Sequence, residues 1–257
     1  MIAGGGPKGP GRETGKGAAR VNRTMLLWLT MAVIVATLVA YQALRSSSAR
    51  HAEQVAARTD VPTVQPGADV LAGIAVAPQR RHRYDYIRSV FGDAWTDDND
   101  APMGHNGCDT RDDILTRDLV DKTYVSTARC PKAVATGVLH DPYTNKTIDF
   151  RRGAKVGEAV QIDHIVPLAY AWDMGASGWP VNERVRFAND PANLLAVDGQ
   201  ANQDKGDLPP AEWMPPNHAF DCQYAIQFIA VLRGYSLPVD RPSAGVLRRA
   251  AAACPTG

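Results

Sequence analysis

Four cysteines in 257 residues, none before position 108, leave little sulfur from which to build a metal site. No two of them form Cys-x-x-Cys, the usual pairing of a structural zinc site, which argues against four-cysteine zinc. No His-Glu-x-x-His occurs, so the helix that carries the ligands of many zinc hydrolases is missing. The acidic run Asp97-Asp98-Asn99-Asp100 lacks the glycine and closing glutamate of an EF-hand loop and reads as a solvated turn. An excess of one charge is also missing, since 28 Lys and Arg against 27 Asp and Glu leave +1. That balance decides nothing about a polyanionic partner, because only a groove has to be basic.

The N-terminal part is present in a different sense. Residues 1–24 are rich in Gly and carry Lys8, Arg12, Lys16, Arg20 and Arg23 against Glu13, a composition that predicts a disordered basic tail. Residues 25–44 then run without a charge, from Met25 to Leu44. About 20 apolar residues suffice to cross a bilayer as a helix, and this run is long for the 7–15 apolar residues of a signal peptide. The expectation is a single-pass anchor, with the basic tail inside and the rest of the chain outside. The competing readings are a buried core helix and a cleaved signal, which would make the protein secreted. Residues 45–80, with Ser46-Ser47-Ser48, Pro62, Pro66, Gly67 and Pro78, read as a linker. Residues 81–257 read as the folded domain.

All four cysteines follow the apolar run, in what should be an oxidising compartment. Two disulfides are expected among three possible pairings. Cys108–Cys130 with Cys222–Cys254 closes the smaller loops and is the preferred one.

The chemistry concentrates at Val160-Gln161-Ile162-Asp163-His164-Ile165-Val166-Pro167-Leu168. β-Branched residues favour a strand, and Pro167 ends it. Asp163 and His164 then stand near a strand end, a hard oxygen ligand beside a group that titrates near neutrality. Further on, Asn193 precedes a second short strand. Asp198 and Gly206 read as the cap and stop of a helix bearing Asn202 and Lys205 on one face. Strand, excursion, strand and helix make a ββα unit in which Asp163 and Asn202 would hold a cation and His164 would take a proton from water. Asn193 would hold the loop or the imidazole, and Lys205 would meet phosphate. Arg111, on a helix expected over Ile114, Leu115, Leu119 and Val120, is a second candidate phosphate contact. Tyr84, Ile87 and Phe91 recur at helical spacing and predict a short docking helix. Ala133–Leu139 and Thr147–Phe150 read as strands around the turn Asp141-Pro142-Tyr143-Thr144-Asn145. Tyr224, Phe228 and Leu232 predict a buried helix ending at Gly234, followed by a last helix around Val246-Leu247.

The pattern Asp163-His164-Ile165-x-Pro167, then Asn193-Leu194, then Asn202-x-x-Lys205 resembles the HNH endonuclease family. It is especially similar to the C-terminal domain of GmrSD-type restriction enzymes and their secreted bacterial relatives. Cys108-Asp109-Thr110-Arg111, Ala171-Trp172-Asp173, Phe187-Ala188-Asn189-Asp190 and Pro210-Ala211-Glu212-Trp213 extend the resemblance over roughly residues 83–254. It implies an α+β, ββα-metal domain that cleaves DNA with a divalent cation and a histidine base. The third position of the family's motif is often histidine, and in this chain Asn202 stands there. An oxygen shell of that kind suits Mg²⁺ or Mn²⁺ better than zinc. RNA stays open as a substrate. Two other functions stay open beside the nuclease: a non-catalytic envelope binding protein on the same fold, and a metal-dependent hydrolase of a cell-envelope polymer.

Overall fold

The structure is a computed structural model and describes residues 31–39, 42, 61–153 and 159–256. The chain divides into two units, Met1–Asp60 and Val61–Gly257. In the first, residues 31–39 and 42 are helical. Half of the anchor expected at 25–44 lies outside the described residues, and the basic tail lies wholly outside them. Among the described residues no helix is long and apolar enough to cross a membrane.

The second unit mixes strands and helices. It takes in residues from Val61 on, including part of the stretch read as linker: Leu71 is buried in the core, and β1 (Val76–Ala77) pairs in parallel with β7 (Val239–Asp240). Helix α1 (Thr110–Asp118) starts on Asp109, whose carboxylate accepts from the Asp112 amide at 2.8 Å. It stops at Asp118. Leu119 and Val120, read as its last turn, instead lead into strand β2 (Val120–Thr127), where Val120, Thr123, Val125 and Thr127 supply the β-branched content of a strand. β2 pairs with β3 (Cys130–His140), and β3 with β4 (Thr147–Arg151), in an antiparallel three-stranded sheet.

β5 (Val160–His164) and β6 (Leu194–Asp198) form a separate antiparallel pair, with Ile162 opposite Ala196 and His164 opposite Leu194. Between them run α2 (Leu168–Asp173) and α3 (Val181–Asn189), the two ends of the expected excursion. Helix α4 (Gly199–Lys205) follows β6 directly. The Asp198 carboxylate caps it through the Ala201 amide at 2.9 Å, and Gly206 ends it at φ 52°, where a side chain would be strained. Strand, strand and helix are therefore contiguous, as the sequence pattern requires. α5 (Asp221–Gly234) buries Tyr224, Phe228 and Leu232, and α6 (Arg241–Ala251) returns along the same core. Each buried aromatic or leucine in that core contributes about 1.5–3 kcal/mol of apolar transfer. Disulfides join Cys108 to Cys130 and Cys222 to Cys254, the pairing that closes the smaller loops.

The docking helix expected from Tyr84, Ile87 and Phe91 does not form. Only a 3₁₀ turn, Arg88–Phe91, is present. Phe91 is buried against Trp172 and Phe187, with ring centroids 6.2 and 6.0 Å away, whereas Tyr84 is 96% exposed and Ile87 62%. One aromatic anchors this segment, and the helical spacing of the other two buries nothing.

Two cores meet at β5 and β6. Val160, Ile162, Leu194 and Ala196 pack with Ile114, Leu115, Leu119, Val134, Leu139 and Phe150 under the three-stranded sheet. Ile165, Val166 and Val197 belong to the larger helical core. The strand pair is thus covered on both faces, which fixes its register and the direction of every side chain on it.

Candidate active site

Alternation along β5 sends Gln161 and Asp163 toward α4, and Ile162 and His164 to the other face. On the α4 side, Gln161 Oε1 accepts from Asn202 Nδ2 at 2.8 Å. Asp163 accepts from Lys205 Nζ at 2.9 Å (Oδ1) and 2.7 Å (Oδ2), and from the Tyr143 hydroxyl at 2.5 Å. Lys205 gives a further hydrogen bond to the His164 carbonyl at 2.7 Å. Asp163 is 5% exposed and Lys205 0%. Burial raises the Asp163 carboxyl and lowers the Lys205 amine, and each partner opposes the shift of the other. Burial, then the neighbouring Asp163, holds the Tyr143 phenol well above its ordinary value, so it stays a donor.

On the other face, His164 Nε2 lies 2.9 Å from the Ala188 carbonyl, and the imidazole stacks on Trp95 with centroids 5.5 Å apart and planes 12° from parallel. A carbonyl only accepts, so Nε2 carries the hydrogen and Nδ1 the lone pair. Burial lowers the imidazole to about 3, against a smaller opposing effect of the Ala188 hydrogen bond. The ring is therefore neutral at any ordinary working pH.

A cleft of about 500 Å³ opens over the end of β5 and is lined by Asp163, His164, Asn202, Arg111, Arg88 and Trp95, among others. Of the residues singled out in the sequence, four meet here. Arg111 sits at the edge with one nitrogen on the Val160 carbonyl at 3.1 Å, and burial, then the nearby Arg152, lowers its guanidinium. Lys205 does not line the cleft; its ammonium points inward, onto Asp163. Asn193 is fully buried away from it. Its Oδ1 accepts the Val166 amide at 2.8 Å and its Nδ2 donates to the Val166 carbonyl at 3.3 Å, so it clamps the chain just past His164.

Sequence reasoning did not find Trp95, Tyr143, Arg88 or the Ala188 carbonyl. Tyr143 sat in plain view in the turn Asp141–Asn145, and Ala188 in the quoted run Phe187–Asp190. Their partners lie on other elements, and no local periodicity marks them.

The family model for the GmrSD restriction endonucleases, C-terminal domain, matches residues 109–244, from the cap of α1 into α6 and across more than half of the chain. The chain belongs to this family. The matched segment of this chain, 109–244, takes in β5, β6 and α4. Arg88 and Trp95 come from before the matched segment. The chain is also similar to an uncharacterized secreted protein of Arthroderma benhamiae, 30% identical over 188 residues that cover 70% of this chain and 80% of the relative. No solved structure matches.

Proposed function

We propose that the domain is a metal-dependent endonuclease of the HNH, ββα-metal type that hydrolyses phosphodiester bonds of DNA outside the cytoplasm. The observation that carries the reading is the state of His164: Nε2 tied to a backbone carbonyl, Nδ1 bearing a lone pair, and the ring in one cleft with Asp163 and Asn202. A neutral imidazole held by a carbonyl is a base waiting for a proton. The family's name as restriction endonucleases supports the substrate class, and the two disulfides and the relative's name as a secreted protein support the location.

His164 Nδ1 takes a proton from a water in the cleft as the water oxygen attacks phosphorus. The bond from phosphorus to the leaving sugar oxygen breaks, and that oxygen takes a proton from solvent. Arg111 contacts the phosphate. Lys205 and Tyr143 fix Asp163, and Asn193 fixes the backbone after His164, so all three position the site without touching substrate.

The donor set fits one hard cation. A carboxylate offers about four lone-pair directions; on Asp163 two of them receive Lys205 and one receives Tyr143, and the His164 backbone amide also acts on the group. Asn202 spends its amide nitrogen on Gln161, and its oxygen has no protein donor among the described residues. No group of three His, Cys, Asp or Glu side chains suited to a metal occurs among the described residues. Asp163 and Asn202 would therefore hold the ion with water and phosphate oxygens completing its shell, which suits Mg²⁺ or Mn²⁺. When bound, the cation supplies charge stabilisation at the phosphate and the leaving oxygen.

The test is nicking of supercoiled plasmid by the purified chain with Mg²⁺ or Mn²⁺. The wild type should nick, and His164→Ala should lose about 10²–10⁴-fold. Undiminished cleavage by folded His164→Ala, or no cleavage by wild type with either ion, overturns the reading.

A further inference from the structure

The charges that line the cleft do not balance. Asp163 is matched by Lys205. Asp207 takes a hydrogen bond from Arg80 at 3.3 Å. His164 is neutral. Two guanidiniums remain, Arg111 and Arg88. Arg111 spends one nitrogen on the Val160 carbonyl. Arg88 is exposed and has no hydrogen-bond or ion-pair partner among the described residues. It lines the cleft with His164 and also a smaller adjoining cavity with His164, Trp95 and Ala188.

Local structure explains why this arginine stays where it is. It opens the 3₁₀ turn Arg88–Phe91, whose last residue is buried among Trp172 and Phe187. Gly92 follows at φ 84°, and a Cβ there would come within 2.7 Å of Val185 Cγ2. The turn is pinned from below and admits only glycine at its exit, so the side chain of Arg88 projects from a fixed base. An unpaired guanidinium beside the imidazole, in a cleft whose carboxylates are already matched, is a site for an anion. Its planar donors suit the non-bridging oxygens of a phosphodiester.

We propose that Arg88 is a substrate-binding residue that, with Arg111, grips the phosphate presented to His164. It is supplied by the segment before the part of the chain the family model matches. The proposal rests on the nuclease reading, and two measurements keep the two apart. The first is cleavage of a fluorescent oligonucleotide duplex by wild type, Arg88→Ala and Arg88→Lys with Mn²⁺. Arg88→Ala should lower kcat/KM by about 10–100-fold, the size expected for one charge-assisted contact, with Arg88→Lys between the two. The second is binding of the same duplex to His164→Ala and to the double variant His164→Ala/Arg88→Ala over a range of salt. The double variant should bind more weakly, and the slope of log K against log salt should fall by about 1. Because Arg88 is exposed, Arg88→Ala should melt with the wild type, and this excludes misfolding as the cause. Unchanged cleavage in Arg88→Ala, with an unchanged salt slope in the double variant, overturns the role of Arg88 and leaves the nuclease standing. Absence of cleavage by wild type overturns the nuclease and Arg88 with it.

Discussion

Two parts of the cleft are built by different means. The unit of β5, β6 and α4 carries Asp163, His164 and Asn202, and its polar groups are held by several partners each: Asp163 by Lys205 and Tyr143, Lys205 by Asp163 and the His164 carbonyl, the Val166 peptide by both ends of the Asn193 amide. The segment from Tyr86 to Cys108 has one 3₁₀ turn and no other regular element. It is fixed at a few points. Phe91 sinks into the core, the Asp97 carboxylate accepts the amides of Asn106 and Gly107 at 3.0 and 2.9 Å, and Cys108 is bonded to Cys130. The first part sets atoms that must not move relative to one another. The second supplies a wall, and a wall tolerates looser support. Buried hydrogen-bonded charge defines geometry, while anchors at intervals define only position.

The sharpest way to break the first part is Lys205→Met. It keeps the volume and removes the partner of a buried carboxylate, which should cost about 3–5 kcal/mol. Urea unfolding should show the loss. If Lys205→Met is as stable as wild type, Asp163 does not depend on this lysine and the unit is held some other way.

The wall should fall next. Replacing Cys108 and Cys130 together by Ser frees a loop whose ends are 22 positions apart, worth roughly 3 kcal/mol of chain entropy. The expected signature is selective: proteolytic nicking should rise between residues 92 and 108 while β5, β6 and α4 keep their protection from hydrogen exchange. Equal loss of protection in both parts would show that they fold as one.

The imidazole gives a smaller effect with a definite sign. Its folded value, about 3, lies below the ordinary 6.5, so between those pH values the unfolded chain binds a proton that the folded chain does not. His164 therefore costs nothing well above pH 6.5 and destabilises progressively as pH falls toward 3. From pH 7 to 5 this amounts to about 2 kcal/mol. Asp113, raised by burial to about 6, acts in the opposite direction, so the comparison must be wild type against His164→Gln. The difference between their stabilities should shift by that amount over this range, and a constant difference would place the ring in a wetter setting.

The same contrast decides how much could be read from the sequence. The strand pair and α4 were legible because each signal is local: β-branched runs, Pro167, the Asp198 cap, the Gly206 stop. The gathering of Asp163, His164 and Asn202 followed from contiguity alone. Lys205 was placed on the correct helix but pointed the wrong way for a phosphate contact, since spacing gives a face and not what covers it. Leu119 and Val120, of which Val120 opens β2, read as the end of α1 because they continue an apolar pattern that fits either period. Trp95 and Arg88 were invisible, because an irregular segment has no period and its contacts are all distant in sequence.

Trp95 is where the two parts touch, and it gives the smallest and most discriminating test. Its backbone sits at φ 60°, a conformation that residues other than glycine seldom adopt, and its carbonyl accepts the Thr110 amide at 3.3 Å, so the wall spends hydrogen bonds to hold it there. What it gains is one ring laid flat on the face of His164. Such a contact is worth about 0.5–1.5 kcal/mol, or roughly 2–10-fold in rate when it acts only on the orientation of the base. Trp95→Leu should lower kcat by that factor with little change in KM, and Trp95→Phe should recover most of it. The opposite split, KM raised and kcat kept, would mean that Trp95 serves the substrate and that the imidazole is oriented by the Ala188 carbonyl alone.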